Sequence, residues 1–392
     1  MAASRGGSTR CVIHIKAGVY KENVGIPRSM KNLMLVGAGI GVTIITSNKN
    51  VRDGSLNIRL SNCWTKFMVT EIHMLDFCFS LAISGDGFIA RDITFENTAG
   101  PKKYQAVALR VSSDHSVLYR CSFVGYQDTL YVHSHHQFYR ECDVYGTVDF
   151  IFGNAAAVFQ TCNVYVRRPM RGQFNTITAQ RRKNPNQHTG IVVHASRVTA
   201  APDLKLVQGS YKTYLGRPWQ KYSRTVFMKC ALDSLIALEG WSPWSGDFAL
   251  STLYYGEYMN TGGCAGTDGR VNWPGYHVIR SAKKARKYSV GEFLDGDSWI
   301  PSSGVSFDSG VPPLMEWVLS SQKTQSQRLL SDGFPEWVSA SDRKLLQSSN
   351  RQPAANVVVA QDDSGNYNTI FEAVAASRSG SKRVVTCVLH RA

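Results

Sequence analysis

Apolar and polar residues before about residue 300 alternate in short runs, without a sustained helical period. The runs are rich in β-branched and aromatic residues, and Gly, Asn and Asp separate them. This composition is typical of strands joined by turns. Because no helical segments lie between the strands, the pattern predicts an antiparallel sandwich, a barrel or a solenoid. Typical runs are CVIHI at 11–15, FIARDITF at 88–95, SVLYRCSF at 116–123 and NTITAQ at 175–180.

Internal similarity favours the solenoid. The segments RDITF, RCSF, ECDV and TCNV place Ile93, Cys121, Cys142 and Cys162 at equivalent positions, with intervals of 28, 21 and 20 residues. Coils of this irregular length, each with strands and polar turns, predict a parallel β-helix. Residues at equal offsets in neighbouring coils then stack about 4.8 Å apart.

The stacking of coils brings cysteines close enough to form a disulfide. A spacing of about 4.8 Å lies within the Cα separations of disulfides, about 4.4–6.8 Å. Cys142 and Cys162 are therefore a candidate bridge, and small core residues are the alternative reading of the same column. The nine cysteines of the chain are an odd and modest number, which excludes a small disulfide scaffold.

Two carboxylates recur with the coil period. Asp128 lies in SFVGYQDTLY and Asp149 in DVYGTVDFIFG, and each follows a cysteine of the column by seven residues. Two facing carboxyl groups do not both ionise cheaply, so one can donate a proton while the other attacks or abstracts. Gln127 and Gln105 offer neutral amide donors for a developing oxyanion. The alternative is that both aspartates are turn residues that bond backbone groups.

Charge and composition narrow the class of protein. The chain has 392 residues, 43% hydrophobic residues and a net charge of +15, with an isoelectric point near 9.4. This balance favours an acidic partner, and the scattered basic residues argue against nucleic acid. No apolar stretch is long enough to span a membrane, and the N-terminus lacks the apolar run of a signal peptide. The histidines of HSHH, His133, His135 and His136, indicate an exposed turn rather than a zinc site, so no metal is predicted.

Five segments resemble the signature blocks of plant pectin methylesterases, in that family's order. They are GVYKE at 18–22, QAVALR at 105–110, GYQDTLY at 125–131, DFIFG at 149–153 and LGRPW at 215–219. The resemblance covers residues 8–55 and 80–310. It implies an all-β fold, a right-handed parallel β-helix, which agrees with the coil spacing.

The resemblance also implies a reaction: hydrolysis of the methyl esters of pectin (homogalacturonan) to pectate and methanol through an aspartyl acyl-enzyme. Asp149 is the implied nucleophile, and Gln127 and Gln105 stabilise the oxyanion. Asp128 is the implied proton donor, and then the base for the attacking water. Arg217 keeps Asp149 ionised and oriented. No metal or organic cofactor is expected.

Further residues are implied to contact the polysaccharide or to stabilise the fold. Phe152, Trp241 and Trp244 either line a carbohydrate groove or pack in the core. Ser80 stands where the family has a threonine in a substrate subsite. The family's disulfide falls on Cys142 and Cys162. The predicted substrate-binding set is Gln105, Arg217, Trp219, Phe152, Trp244 and Ser80.

The expected partner is pectin, and the resemblance admits a proteinaceous pectinesterase inhibitor as a second partner. A monomer in the cell wall is expected, although this chain shows no signal peptide. The alternatives are a catalytically impaired pectin-binding β-helix, a polygalacturonase or a pectate lyase. A lyase needs a calcium-binding carboxylate group, and a polygalacturonase needs carboxylates placed at a glycosidic oxygen.

The chain departs from the family's order in three places. An excess segment at 56–79 resembles nothing in the family. The family's opening strand–turn–helix is missing from the front and reappears at 355–392, and AASRGGSTR at 2–10 matches AASRSGSKR at 375–383 at seven of nine positions. Before it, 311–354 resembles the end of a pro-region with an RKLL processing site. We therefore expect a catalytic β-helix at 1–310 joined to the start of a second catalytic unit, whose C-terminal segment caps the open first coil.

Overall fold

The strands of the chain form three parallel sheets. The computed structural model describes residues 10–53, 79–311, 367 and 369–376. Successive strands join a ten-stranded sheet (sheet A), an eight-stranded sheet (sheet B) and a seven-stranded sheet (sheet C) in turn. Each coil up to β21 (Thr213–Gly216) thus adds one strand to each sheet and pairs with the coil before it, and the last coils add strands mainly to sheet A. This is a right-handed parallel β-helix, which confirms the predicted fold class.

The strands have the following bounds. Sheet A contains β1 (Cys11–His14), β4 (Leu33–Val36), β7 (Ile89–Arg91), β10 (Ser116–Tyr119), β13 (His136–Arg140), β16 (Ala156–Gln160), β19 (Gly190–His194), β22 (Arg224–Met228), β24 (Tyr254–Tyr258) and β25 (Tyr276–Val278). Sheet B contains β2 (Gly18–Lys21), β5 (Thr43–Ser47), β8 (Thr94–Asn97), β11 (Ser122–Val124), β14 (Asp143–Gly146), β17 (Asn163–Val166), β20 (Arg197–Ala200) and β23 (Ala231–Leu232). Sheet C contains β3 (Val24–Ile26), β6 (Phe79–Ile83), β9 (Val107–Val111), β12 (Leu130–Val132), β15 (Ile151–Gly153), β18 (Asn175–Gln180) and β21 (Thr213–Gly216).

The helices are short and lie outside the coils. None of those described is long and apolar enough to cross a membrane. Within the described residues, the α-helices are α1 (Pro202–Lys205), α2 (Ala282–Arg286), α3 (Val290–Leu294), α4 (Gly296–Trp299) and α5 (Ile370–Ala376). The 3₁₀ turns described there span Pro101–Lys103, Gln208–Ser210 and Ile300–Ser303.

The predicted coil alignment is confirmed by the register of sheet B. Ser122 pairs with Thr94 on one side and with Asp143 on the other, and Asp143 pairs with Asn163. The residues just before these four are Ile93, Cys121, Cys142 and Cys162. All four are at most 1% exposed and lie in one core column.

The corner between sheets A and B is turned by one residue with a positive φ in successive coils. Such a backbone costs an L-residue about 1–2 kcal/mol, yet none of these positions is glycine. The corner N–H groups still pair with the next coil: Arg120 N–H donates to the carbonyl oxygen of Arg140, and Glu141 N–H to that of Gln160. The corner residues are Asp92, Arg120, Glu141, Thr161, Ala195 and Lys229.

The cysteine column is present, but the predicted bridge is not formed in it. Cys121, Cys142 and Cys162 are buried free thiols. Burial raises the pKa of the Cys142 thiol, and the thiols of Cys121 and Cys162 interact with it from either side. Because Cys142 has a cysteine neighbour in both adjacent coils, stacking alone does not select its partner. Cys230 extends the buried column in a later coil.

A second apolar layer covers the outer face of sheet A. Phe138 and Val158 point outward from this sheet and pack against Val290, Phe293 and Ile300 of the segment that contains α3 and α4. Ser289 caps α3, because its side chain accepts a hydrogen bond from the N–H of Glu292. The sheet is therefore buried on both faces over its central strands.

The first coil is covered by the C-terminal helix α5. Ile370, Ala373 and Val374 are at most 2% exposed and belong to the central core cluster, and α5 packs against β3. The Glu22 carboxylate accepts hydrogen bonds from the N–H groups of Ile370 and Phe371, at 3.1 and 3.2 Å. The helix thus lies where we expected the C-terminal segment to cap the coil. Three further predictions fall largely outside the described residues. They are the origin of the C-terminal segment as the start of a second catalytic unit, the linker at 311–354 and the excess segment at 56–79.

Candidate active site

An open cleft lies over the outer face of sheet C. Most of its lining residues lie within or just before three neighbouring strands of this sheet, β12, β15 and β18. All the residues predicted to be catalytic line this cleft. The complete lining is Gln105, Gln127, Asp128, Asp149, Phe152, Ala179, Arg217, Trp219 and Trp244.

The strand register explains why the two aspartates meet. Leu130 pairs with Ile151, and Ile151 pairs with Thr178. Two residues before each of these stand Asp128, Asp149 and Thr176, which therefore form one column across three coils. Both aspartates have a positive φ, of 62° and 51°, and the N–H of Asp128 donates to the carbonyl oxygen of Val148. The predicted stacking of the two carboxylates is present.

Arg217 holds the Asp149 carboxylate from one side. Its Nε donates to Oδ1 and Oδ2 at 2.8 and 3.1 Å, and its Nη2 donates to Oδ2 at 2.6 Å. The Asp149 side chain is only 8% exposed, so this forked, charge-assisted pair is largely desolvated. Arg217 reaches it because β21 ends at Gly216, and the Arg217 N–H donates to the carbonyl oxygen of Thr178.

Thr176 holds Asp149 from the next coil. Its hydroxyl donates to Oδ1 at 2.5 Å, and its Oγ1 accepts the Asp149 N–H at 2.9 Å. Thr176 is 0% exposed. Thr176 was not predicted from the sequence as a site residue, although it stands at the same position as Asp149 one coil later.

The electrostatics of the Arg217–Asp149 pair are set by burial and by the contact between the two side chains. Burial lowers the pKa of Arg217, but the charge of Asp149 and its hydrogen bonds with the guanidinium offset this effect, so the net shift is upward. Below them lies Tyr255, which is fully buried and whose hydroxyl has no hydrogen-bond partner among the described residues. Burial raises the pKa of Tyr255 well above its usual value, and the nearby Asp149 adds to the rise. Tyr255 therefore stays neutral beneath the cleft.

Asp128, Gln105 and Gln127 also line the cleft. Asp128 is 7% exposed, whereas Gln105 and Gln127 are partly exposed. The backbone joins these positions: Ala106 N–H donates to the carbonyl oxygen of Gln127 at 3.2 Å. A carboxylate fixed by an arginine, a second carboxyl group and two neutral amides thus face one open space. That set suits acyl transfer by a carboxylate nucleophile, with amide donors for the oxyanion.

Aromatic rings form one side of the cleft. Tyr131 and Phe152 stack with centroids 4.4 Å apart, and Phe152 meets the edge of Trp219 at 6.0 Å. The guanidinium of Arg217 lies 4.4 Å from the Trp244 ring centroid, in a cation–π contact. The rings predicted at Phe152, Trp219 and Trp244 are therefore brought together at the cleft.

Two predicted groove residues lie elsewhere. Trp241 is 1% exposed, stacks on Tyr255 at 4.2 Å and donates its indole N–H to Glu257, so it is a core residue. Ser80 is 0% exposed, and its hydroxyl contacts Ser47 at 2.8 Å and donates to the carbonyl oxygen of Glu96 at 2.7 Å. A fully buried hydroxyl cannot contact a polysaccharide, so the prediction for Ser80 is wrong.

Comparison with known proteins agrees with this geometry. The family model described as "Pectinesterase" matches residues 1–297. The chain belongs to the pectinesterase family. Among curated pectinesterases, it is 57% identical to "Probable pectinesterase/pectinesterase inhibitor 36" of Arabidopsis thaliana over 313 residues, and 57% identical to "Pectinesterase 2" of Citrus sinensis over 310 residues. Each match covers 79% of this chain and 57% of the relative, so the chain spans little more than half the length of these relatives.

A solved pectinesterase structure shares the fold. The pectin methylesterase from carrot is 51% identical, with a TM-score of 0.72, and the match covers 79% of this chain and 91% of that chain. The carrot enzyme is therefore matched over nearly its whole length, although the curated relatives extend further.

Proposed function

We propose that this chain hydrolyses the methyl esters of pectin to pectate and methanol in the plant cell wall. The observation that carries the proposal is the buried Asp149 carboxylate, held by Arg217 and facing Asp128 across a cleft that also holds Gln105 and Gln127. Membership of the pectinesterase family and the names of the similar proteins support the same reaction.

In the proposed mechanism, Asp149 attacks the carbonyl carbon of a methyl galacturonate ester. The amides of Gln105 and Gln127 donate hydrogen bonds to the resulting oxyanion. Asp128, protonated in the resting enzyme, gives its proton to the departing methanol. It then takes a proton from a water molecule, whose oxygen attacks the acyl-enzyme and regenerates Asp149. Arg217 fixes the direction of the nucleophile, because its guanidinium donates hydrogen bonds to both carboxylate oxygens.

Pectin is the proposed polymer partner, because de-esterified product is polyanionic and this chain carries a net charge of +15. The rings of Phe152, Trp219 and Trp244 offer apolar faces on which sugar rings stack. A proteinaceous pectinesterase inhibitor is a second proposed partner, and a monomer is the proposed state. We also propose that residues 355–392 are the displaced start of a catalytic unit, since α5 packs on the first coil.

Methanol release separates this proposal from its alternatives. Highly methyl-esterified pectin should yield methanol and free carboxylates in equal amounts, without new chain ends. Fully de-esterified polygalacturonate is the control substrate and should yield nothing. New reducing ends would instead indicate a polygalacturonase, and unsaturated ends a lyase. Pectin binding without any product would indicate an impaired enzyme.

Thr176 gives a second test, of how Asp149 is positioned. Thr176→Val keeps the side-chain shape but removes a hydrogen bond to a carboxylate, an interaction of about 1.5–3 kcal/mol. We expect kcat to fall about 10- to 100-fold, because the carboxylate loses one of the two side chains that fix its orientation. Thr176→Ser keeps the hydroxyl and should retain most of the activity. Equal kcat in Thr176→Val and the unchanged enzyme would contradict the positioning role.

A further inference from the structure

Three potential metal ligands meet at a turn outside the catalytic cleft. Asp114 and His115 precede β10, and His136 begins β13 in the next coil. Ser116 pairs with Gln137, so His115 and His136 stack directly on each other, with ring centroids 5.7 Å apart. One ligand atom from each of the three residues lies within 4.8 Å of the other two.

Asp114 and His136 lie close to the spacing of two ligands on one ion. Asp114 Oδ1 lies 2.9 Å from His136 Nδ1. Two atoms each bound about 2.1 Å from a metal at the tetrahedral angle are about 3.4 Å apart. An ion can therefore replace the shared proton if the two atoms separate by about 0.5 Å. His115 is exposed, and a rotation of its ring would bring the third ligand atom to the ion.

The carboxylate is held in place by backbone donors. Asp114 Oδ1 accepts the N–H groups of His115 and His136, both at 3.0 Å. The His115 ring is stacked on Trp299 at 4.9 Å, which limits its motion to one side. Ligands that are oriented before binding lose less conformational entropy when the ion arrives.

The surrounding charge favours a cation. The N–H of Asp114 donates to Asp86 Oδ1 at 3.1 Å, and Asp295 acts electrostatically on His136. Lys31 contacts Asp86 at 3.5 Å, and both of these side chains are exposed. A carboxylate with two imidazoles suits Zn²⁺ and Cu²⁺ better than Mg²⁺ or Ca²⁺, which prefer oxygen ligands only.

We propose that Asp114, His115 and His136 bind one divalent transition-metal ion of the Zn²⁺ class, with water in the open position. The sequence alone indicated an exposed HSHH turn, because it did not show that Asp114 and His115 of the preceding coil lie against His136. None of the three ligands lines the catalytic cleft. The ion would fasten two coils together beside Trp299, and so stabilise the fold without entering ester hydrolysis.

The test measures Zn²⁺ binding to the full chain, produced without a histidine tag and stripped of metal, by titration calorimetry and by the melting temperature. We expect one Zn²⁺ per chain and a higher melting temperature with Zn²⁺. His136→Asn should weaken binding at least tenfold, because the Asn amide can still donate to Asp114 but the imidazole is gone. His115→Asn should weaken it similarly, and Asn tolerates the positive φ of 51° at this position.

His135→Asn is the matched control, since His135 is exposed, adjacent and also at positive φ, at 69°, but outside the cluster. It should leave Zn²⁺ affinity unchanged. Cu²⁺ gives an independent readout, because it should quench the fluorescence of Trp299 and lose this effect in Trp299→Phe. Absence of Zn²⁺ binding in the unchanged chain would overturn the proposal. So would binding that both ligand variants leave intact, or that His135→Asn weakens as much as they do.

Discussion

Asp149→Asn should abolish methanol release, lowering kcat by more than about a thousandfold. An amide oxygen is a far weaker nucleophile than a carboxylate, and the variant has no carboxylate at position 149 beside Arg217. Asp149 also receives three hydrogen bonds from Arg217 and one from Thr176, so the proposed nucleophile is a carboxylate whose direction is fixed. The measurement is kcat on methyl-esterified pectin, together with circular dichroism to show that the variant is folded.

The control for this variant is Asp203→Asn. Asp203 pairs with Arg167 at 3.5 Å, but Asp203 is exposed and lies outside the cleft. Such a surface pair is worth about 0–1 kcal/mol, so activity and stability should both stay near their original values. By contrast, Asp149→Asn should lower the melting temperature, because Arg217 is left in a desolvated site without its counterion. A folded Asp149→Asn variant with full activity would refute the assigned nucleophile.

Ending the chain after Val311 should destabilise the β-helix. This change removes α5 and exposes the apolar end of the first coil, where Ile370, Ala373 and Val374 are buried. It also leaves the half-buried Glu22 carboxylate without two of its backbone donors. Burial of an Ile or Val side chain is worth about 1.5–3 kcal/mol, partly offset by the cost of ordering the helix. We expect the melting temperature to fall by about 5 °C or more.

Two substitutions in the full chain show whether the docked face of α5 is responsible. Val374→Asp places a charge on the buried face, whereas Phe371→Asp places the same charge on the outer face, where Phe371 is 55% exposed. The first should resemble the truncation, and the second should be nearly neutral. Equal melting temperatures for the truncated and full chains would show that α5 contributes nothing to the fold.

The coil repeat could be predicted from sequence because three successive coils begin at almost equal intervals, 21 and 20 residues, and have a small residue at the same inward position. Cys121, Cys142 and Cys162 mark that position, and the aspartates follow two of them at a constant offset. Equal offsets in coils of equal length must stack, so the meeting of the two aspartates could be predicted from their residue numbers. The position of Thr176 could not, because residues 167–174 lengthen the next coil and place Thr176 27 positions after Asp149.

Side-chain direction was harder to predict than position along the chain. In GWSPW, both tryptophans are possible groove residues by type, but Trp241 points into the core and only Trp244 lines the cleft. Ser80 lies in a strand with four consecutive buried residues, so no alternation marks which face it occupies. The contact of His136 with Asp114 was also hidden, because it joins residues of different coils through a turn rather than through a recognisable repeat.

The contact between Glu22 and Ile370 separates its partners by 348 residues, whereas most coils need only the coil before them. At a synthesis rate of about 5–20 residues per second, α5 is synthesised about 20–70 seconds after the first coil that it covers. During that time the apolar end and unpaired strand edges of the first coil are open to other nascent chains. The position of this helix in the gene therefore sets a period of exposure to aggregation that the finished protein no longer shows.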